Sequence, residues 1–180
     1  MDEYIELLDN DNKPNGKRIL KSEAHKKGLF HASVHIWFFT KDKKVLIQKR
    51  HKTKNTFPNL WDVSVAGHIS YKEKPILAAL RETEEEIGLS ITENQLKYIG
   101  TSTHKNIHSA NLIDNELHHI YICEFNKTLS ELKIQDDEVA EVLLLSINDL
   151  KLELQIKNNN YVPHGSDYYN RIFDTIEKFS

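Results

Sequence analysis

Four glutamates, Glu82, Glu84, Glu85 and Glu86, crowd into five positions just ahead of Gly88. From Pro75 to Ile87 the spacing predicts one helix. Proline suits a first helical position because its missing N–H would have no partner there. Ile76, Leu80, Thr83 and Ile87 recur at helical intervals beside Ala79, and Gly88 can take the left-handed conformation that ends many helices. On such a helix Glu82, Glu85 and Glu86 share a face, while Glu84 points off it. They also stand at the negative end of the helix dipole, where anions are disfavoured. Each like-charge pair costs roughly 0.2–0.5 kcal/mol, and Arg81 offsets only part of the charge. A solvated acidic face is the ordinary explanation of such a run. A hard divalent cation, Mg2+ or Mn2+, would instead turn the repulsion into binding.

The upstream residues favour the cation. Gly67 and Glu73 complete a pattern: Gly, five residues, Glu, seven residues, Arg-Glu, two residues, Glu-Glu, one residue, Gly, then an aliphatic residue. This resembles the Nudix box, the signature of Nudix hydrolases, with Gly67, Glu73, Arg81, Glu82, Glu85, Glu86, Gly88 and Leu89 filling its fixed positions. Thr83 departs from the aliphatic residue usual in the family.

Length and composition fit one domain over residues 1–180, with 39% hydrophobic residues to supply a core. A net charge of −3 gives no basic field for a nucleic-acid polymer. Met1-Asp-Glu opens without a signal-peptide pattern and no apolar run reaches membrane-span length, so no membrane role is expected. The single cysteine, Cys123, reads as a core residue of a reducing compartment, and the cytoplasm is expected.

Strands are expected at Tyr4–Leu8, Leu29–Thr40, Val45–Arg50, Trp61–Ile69, Leu96–Thr103, Leu117–Phe125 and Glu138–Leu145. Asp9–Gly16 reads as a turn-rich segment and Asn158–Asn160 as a surface loop. Ser146–Lys151 can start a short helix and Asp167–Phe179 a terminal one. In the long strand Phe30, Ala32, Val34, Ile36 and Phe38 share one face, and His31, Ser33 and His35 the other. The order suggests an α/β fold, a mixed β-sheet flanked by helices; the resemblance implies the Nudix α/β/α sandwich.

Further motifs follow in order: Glu6-Leu-Leu-Asp9, Ser22-Glu-Ala-His25, Gly28-Leu-Phe-His31, Val34-His-Ile-Trp37, Leu46–Arg50 and Thr56–His68. They resemble the Nudix branch related to type I isopentenyl-diphosphate isomerase. That resemblance implies a metal held by residues matching His25, His31, His68, Asp114 and Glu116. The isomerase's catalytic cysteine, however, is Ala66 here. Alanine cannot move the protons that an isomerisation requires, so hydrolysis is the expected reaction. His51, His104, His108, His118, His119 and His164 carry no spacing signal and are assigned to the surface.

The expected chemistry is metal-assisted cleavage of a diphosphate linkage in a small-molecule substrate, nucleoside diphosphate-linked. The alternatives are an isomerase-like enzyme and a non-catalytic nucleotide-binding module. Glu82, Glu85 and Glu86 would bind the Mg2+ or Mn2+. The resemblance implies that Arg81 orients Glu82 and that Glu73 supports the site. The general base is Glu82, Glu116 or Glu138. Arg50 and Lys54 are phosphate clamps or an exposed basic turn. Recognition is expected in Thr101–Asn115 and Tyr161–Tyr169, where the tyrosines either stack on a base or pack the terminal helix. Oligomeric state is not encoded in any readable pattern.

Overall fold

The computed structural model describes residues 2–156 and 160–179, and the expected Asn158–Asn160 loop falls largely outside them. At its centre lies β3 (His31–Phe39), all nine residues of which are buried. It runs parallel to β8 (Leu112–Glu124), which forms a hairpin with β7 (Lys97–Ser109). On its other side β3 pairs antiparallel with β6 (Val65–His68) and, at one point, with β1 (Tyr4–Leu8). β4 (Lys44–Arg50) branches away to pair with β5 (Trp61–Asp62) and β9 (Val139–Ser146). The result is a mixed, α/β sheet.

Strand alternation places β3 between two apolar layers. Ala32, Val34, Ile36 and Phe38 pack with Ala78, Ala79 and Ile87 of α2 (Pro75–Ile87). Trp37 and Phe39 meet Ile147 and Leu150 of α3 (Ile147–Gln155) and Tyr168, Ile172 and Ile176 of α4 (Ser166–Phe179). Cys123 lies in the first cluster, its thiol pushed up to about 11 by burial. Among the described residues no helix is long and apolar enough to cross a membrane.

Three expectations change and one short helix is new. The turn after β1 closes by Lys13, because Pro14–Leu20 forms β2, an edge strand paired with β1. Its mostly exposed side chains give no alternation to read. A short helix, α1 (Lys21–Lys27), follows, with Ala24 as its buried residue and left-handed Gly28 (φ 60°) at its end. The expected strand Trp61–Ile69 is two strands, interrupted where the Ser64 hydroxyl bonds the backbone of β4 and β3. Thr101–Asn115 is no loop but the continuation of the β7–β8 hairpin, so Glu116 sits within β8 and beside His31 of β3.

Candidate active site

Pro75 opens α2 and left-handed Gly88 (φ 66°) closes it, its N–H donating to the Glu84 carbonyl at 3.0 Å. Between them Arg81 organises the box. It donates to both Glu73 oxygens at 3.0 and 2.9 Å, to Glu82 at 2.7 Å, to Glu85 at 3.0 Å and to the His68 carbonyl at 2.9 Å. These bonds, the Glu73 pair first, raise the guanidinium pKa further above its ordinary value. Burial opposes ionisation of Glu73, but Arg81 and the Ser70 N–H outweigh it and hold the carboxyl below its usual value. Gly67 is required by a close approach: a Cβ there would stand 1.9 Å from Cδ of Glu82. Glu84 faces solvent and accepts from the Ser90 hydroxyl.

Burial makes two of the box carboxylates costly to ionise. Burial raises the pKa of Glu82. Burial and the neighbouring Glu82 push Glu86 up to about 7, even though it accepts from Gln48 at 3.0 Å and from the Ala66 N–H at 3.2 Å. The Gln48 amide oxygen is itself buried without a hydrogen bond. Hard oxygen donors in this condition fit Mg2+ or Mn2+. Glu85 is more exposed than the other two and reaches the site through Arg81. Glu138 is ion-paired with Lys54, and both border the carboxylates.

A second group lies on the odd-numbered face of β3. One nitrogen each of His25, His31 and His68 and an oxygen of Glu116 fall within 4.8 Å of one another. His25 Nε2 is 3.0 Å from His68 Nε2, and Glu116 stands 3.6 Å from His68 and 3.8 Å from His31. Asp114 bonds the far nitrogen of His25 at 2.9 Å, orienting the ring from behind. Burial lowers His31 to about 4, which keeps it neutral, and its Nε2 is buried without a partner. Burial alone would raise Glu116, but His68, His31 and His118 hold it well below the usual carboxylate range. Three imidazoles and a carboxylate suit a borderline transition ion better than Mg2+.

The histidine group opens on a cleft of about 700 Å³ and the box carboxylates on an adjoining pocket of about 220 Å³, and Ala66, Gly67, His68, Lys54 and Glu138 line both. Arg50 also lines the larger cleft, with its guanidinium bonded to Thr56 and Asp62. Tyr168 and Tyr169 pack in the core against α4's neighbours, whereas Tyr161 is partly buried beside them. The surface assignment of six histidines fails for His118, which is 5% exposed, and His104 and His164 line the cleft with it. His118 faces inward because β8 pairs with β3 so that it stands beside Ser33. Alternation from Glu116 to His118 was the available signal; the pairing across 85 positions was not readable.

Comparison with known proteins supports the same architecture. Residues 29–164 match the family model described as NUDIX domain. An uncharacterised Nudix hydrolase of Clostridium acetobutylicum is 30% identical, over 93% of this chain and 94% of its own. An isopentenyl-diphosphate delta-isomerase of Photorhabdus laumondii is 34% identical, over 88% of this chain and 84% of its own. The fold is similar to a crystal structure of a Deinococcus radiodurans protein, with a TM-score of 0.69 at 16% identity and 98% of each chain covered. With its box filled on α2 and a family model spanning most of its length, the chain belongs to the Nudix family and is a hydrolase of phosphoric anhydride bonds.

Proposed function

We propose that this protein, acting as one domain in the cytoplasm, cleaves the diphosphate linkage of a small nucleoside diphosphate-linked substrate with Mg2+ or Mn2+. The observation that carries this reading is the pair of buried carboxylates, Glu82 and Glu86, raised in pKa at the border of a cleft of about 700 Å³. That volume lies within the usual range for small-molecule sites. Glu82 and Glu86, with Glu85 beside them, hold the cation. When bound, it polarises phosphoryl oxygens and lowers the pKa of an attacking water. Arg81 fixes the orientation of Glu82 and Glu85 through its bonds to Glu73 and the His68 carbonyl. Lys54 supplies positive charge toward a phosphate. Glu138, on the same wall and outside the box, is the base for the water.

A second reading, isomerisation of an allylic diphosphate, is favoured by the His25/His31/His68/Glu116 group. Ala66 opposes it, because its methyl occupies the cleft wall where an acid–base group would be needed. The test is a panel of nucleotide sugars, dinucleotides and nucleoside triphosphates with Mg2+, read by chromatography, for the parent and Glu82→Gln. We expect cleavage by the parent and a loss of about 10²-fold or more in the variant. Equal turnover by the two proteins would remove Glu82 from the site. Isopentenyl diphosphate turned over by the parent, and faster by Ala66→Cys, would favour the second reading.

A further inference from the structure

His35, His118 and His164 form a third convergence in the same cleft, belonging neither to the box nor to the His25/His31/His68/Glu116 group. One ring nitrogen of each lies within 4.8 Å of the others. The other ring nitrogen of each is held from behind. Nδ1 of His35 is 2.8 Å from the Tyr168 hydroxyl, Nδ1 of His118 is 2.7 Å from Ser33 Oγ, and Nε2 of His164 is 2.7 Å from Asp62 Oδ1. Metal-bound histidines have this arrangement, with the far nitrogen donating to an oxygen that fixes tautomer and ring orientation.

The near nitrogens lack protein partners where one would be needed. His118 Nε2 and His164 Nδ1 are both buried with no hydrogen bond. Asp62 is buried and also paired with Arg50 at 3.1 Å, so it is fixed behind His164. It accepts a hydrogen bond from the Nε2–H of His164, the tautomer that leaves the lone pair on Nδ1. The Tyr168 oxygen, which accepts from Trp37 at 2.9 Å, can accept from His35 Nδ1 as well.

We propose that His35, His118 and His164 bind a transition-metal ion, zinc by its ligand type, in a site of three histidines whose fourth position opens to the cleft. Two nitrogens on a tetrahedral zinc stand about 3.3 Å apart; from within 4.8 Å the nitrogens would close and the stacked rings of His35 and His118, 19° apart, would turn to aim at one ion. The open position would take an oxygen of the substrate, a phosphate or hydroxyl, beside the carboxylates that hold the hard cation. Glu116 stands between the two histidine groups, its second oxygen 3.6 Å from His118 Nδ1.

Two substitutions remove one ligand each while keeping its supporting bond. His118→Asn retains a side-chain nitrogen near Ser33, and His164→Gln retains one near Asp62. Chelator-stripped full-length protein would be titrated with Co2+ and Zn2+ alone, reading bound equivalents by elemental analysis and the visible spectrum of tetrahedral Co2+. Circular dichroism checks the fold. Compared in a His68→Gln background, which removes the neighbouring group, the protein with all three histidines is expected to bind one equivalent more than either variant and to show the tetrahedral spectrum, which both variants lose. His68→Gln is expected to keep this equivalent and lose the one at the neighbouring group. If both folded variants bind as many equivalents as their His68→Gln parent with the same Co2+ spectrum, the site is overturned.

Discussion

Replacing Glu86 by Gln should stabilise the metal-free protein and abolish its catalysis. The folded protein holds the Glu86 proton with a pKa of about 7, against an ordinary carboxyl value of 4.5. Because the folded state binds the proton more tightly than the unfolded chain, the penalty is absent below about pH 4.5, grows as pH rises and is complete above about pH 7. At 1.36 kcal/mol per tenfold change in proton affinity, it amounts to about 3 kcal/mol. Gln carries no charge to bury. Its oxygen can accept the Gln48 and Ala66 bonds, and its amide can donate toward the unpartnered Gln48 oxygen. Urea unfolding in EDTA, followed by tryptophan fluorescence, should give equal stabilities for parent and variant near pH 4. Near pH 8 the variant should be more stable by about 3 kcal/mol, or about 8 °C in Tm for a chain of this length. Mg2+ at about 1,000 times its Kd should reverse the order, since binding then adds about 4.1 kcal/mol to the protein that holds the ion. A variant less stable than the parent at pH 8 in EDTA, or a difference independent of pH, would refute the burial of an unpaired charge at Glu86.

Other substitutions separate the roles of neighbouring residues. Gly67→Ala should cost about 10²-fold in turnover, measured under saturating Mg2+, because its Cβ would displace Glu82. Glu84→Gln should change stability by no more than about 0.5 kcal/mol and leave turnover unaltered, since that side chain faces solvent. Ile172→Ala, which opens a cavity between α4 and β3, should lower unfolding free energy by about 2–5 kcal/mol while the remaining folded enzyme keeps its Mg2+ dependence.

The parts of the fold legible in the sequence are those where neighbouring residues decide the outcome. Helix α2 has a proline start, a glycine stop and a periodic stripe, so its bounds and carboxylate face follow from local rules. Strand β3 shows its alternation openly, and the face carrying His31, Ser33 and His35 was readable from it. By contrast β2 is a polar edge strand and α1 is barely two turns with one buried residue, so neither leaves a hydrophobic period. The histidine groups depend on parallel pairing of β3 with β8, a contact between distant segments. His118 therefore looks like an isolated surface residue until that pairing brings it to His35, and His164 until the Trp61–Tyr161 bridge and its bond to Asp62 do the same. Arg81 and Glu73 were legible as box residues, but their shared bond network with the His68 carbonyl was not.

The most direct test offers the protein ADP-ribose and isopentenyl diphosphate in parallel, with Mg2+, in 18O-labelled water. Cleavage of the first substrate, with one labelled phosphoryl product, and recovery of the second unchanged is the expected outcome. Rearrangement of isopentenyl diphosphate with no label in any phosphate, and no cleavage of ADP-ribose or any other anhydride offered, would contradict hydrolysis at Glu82 and Glu86.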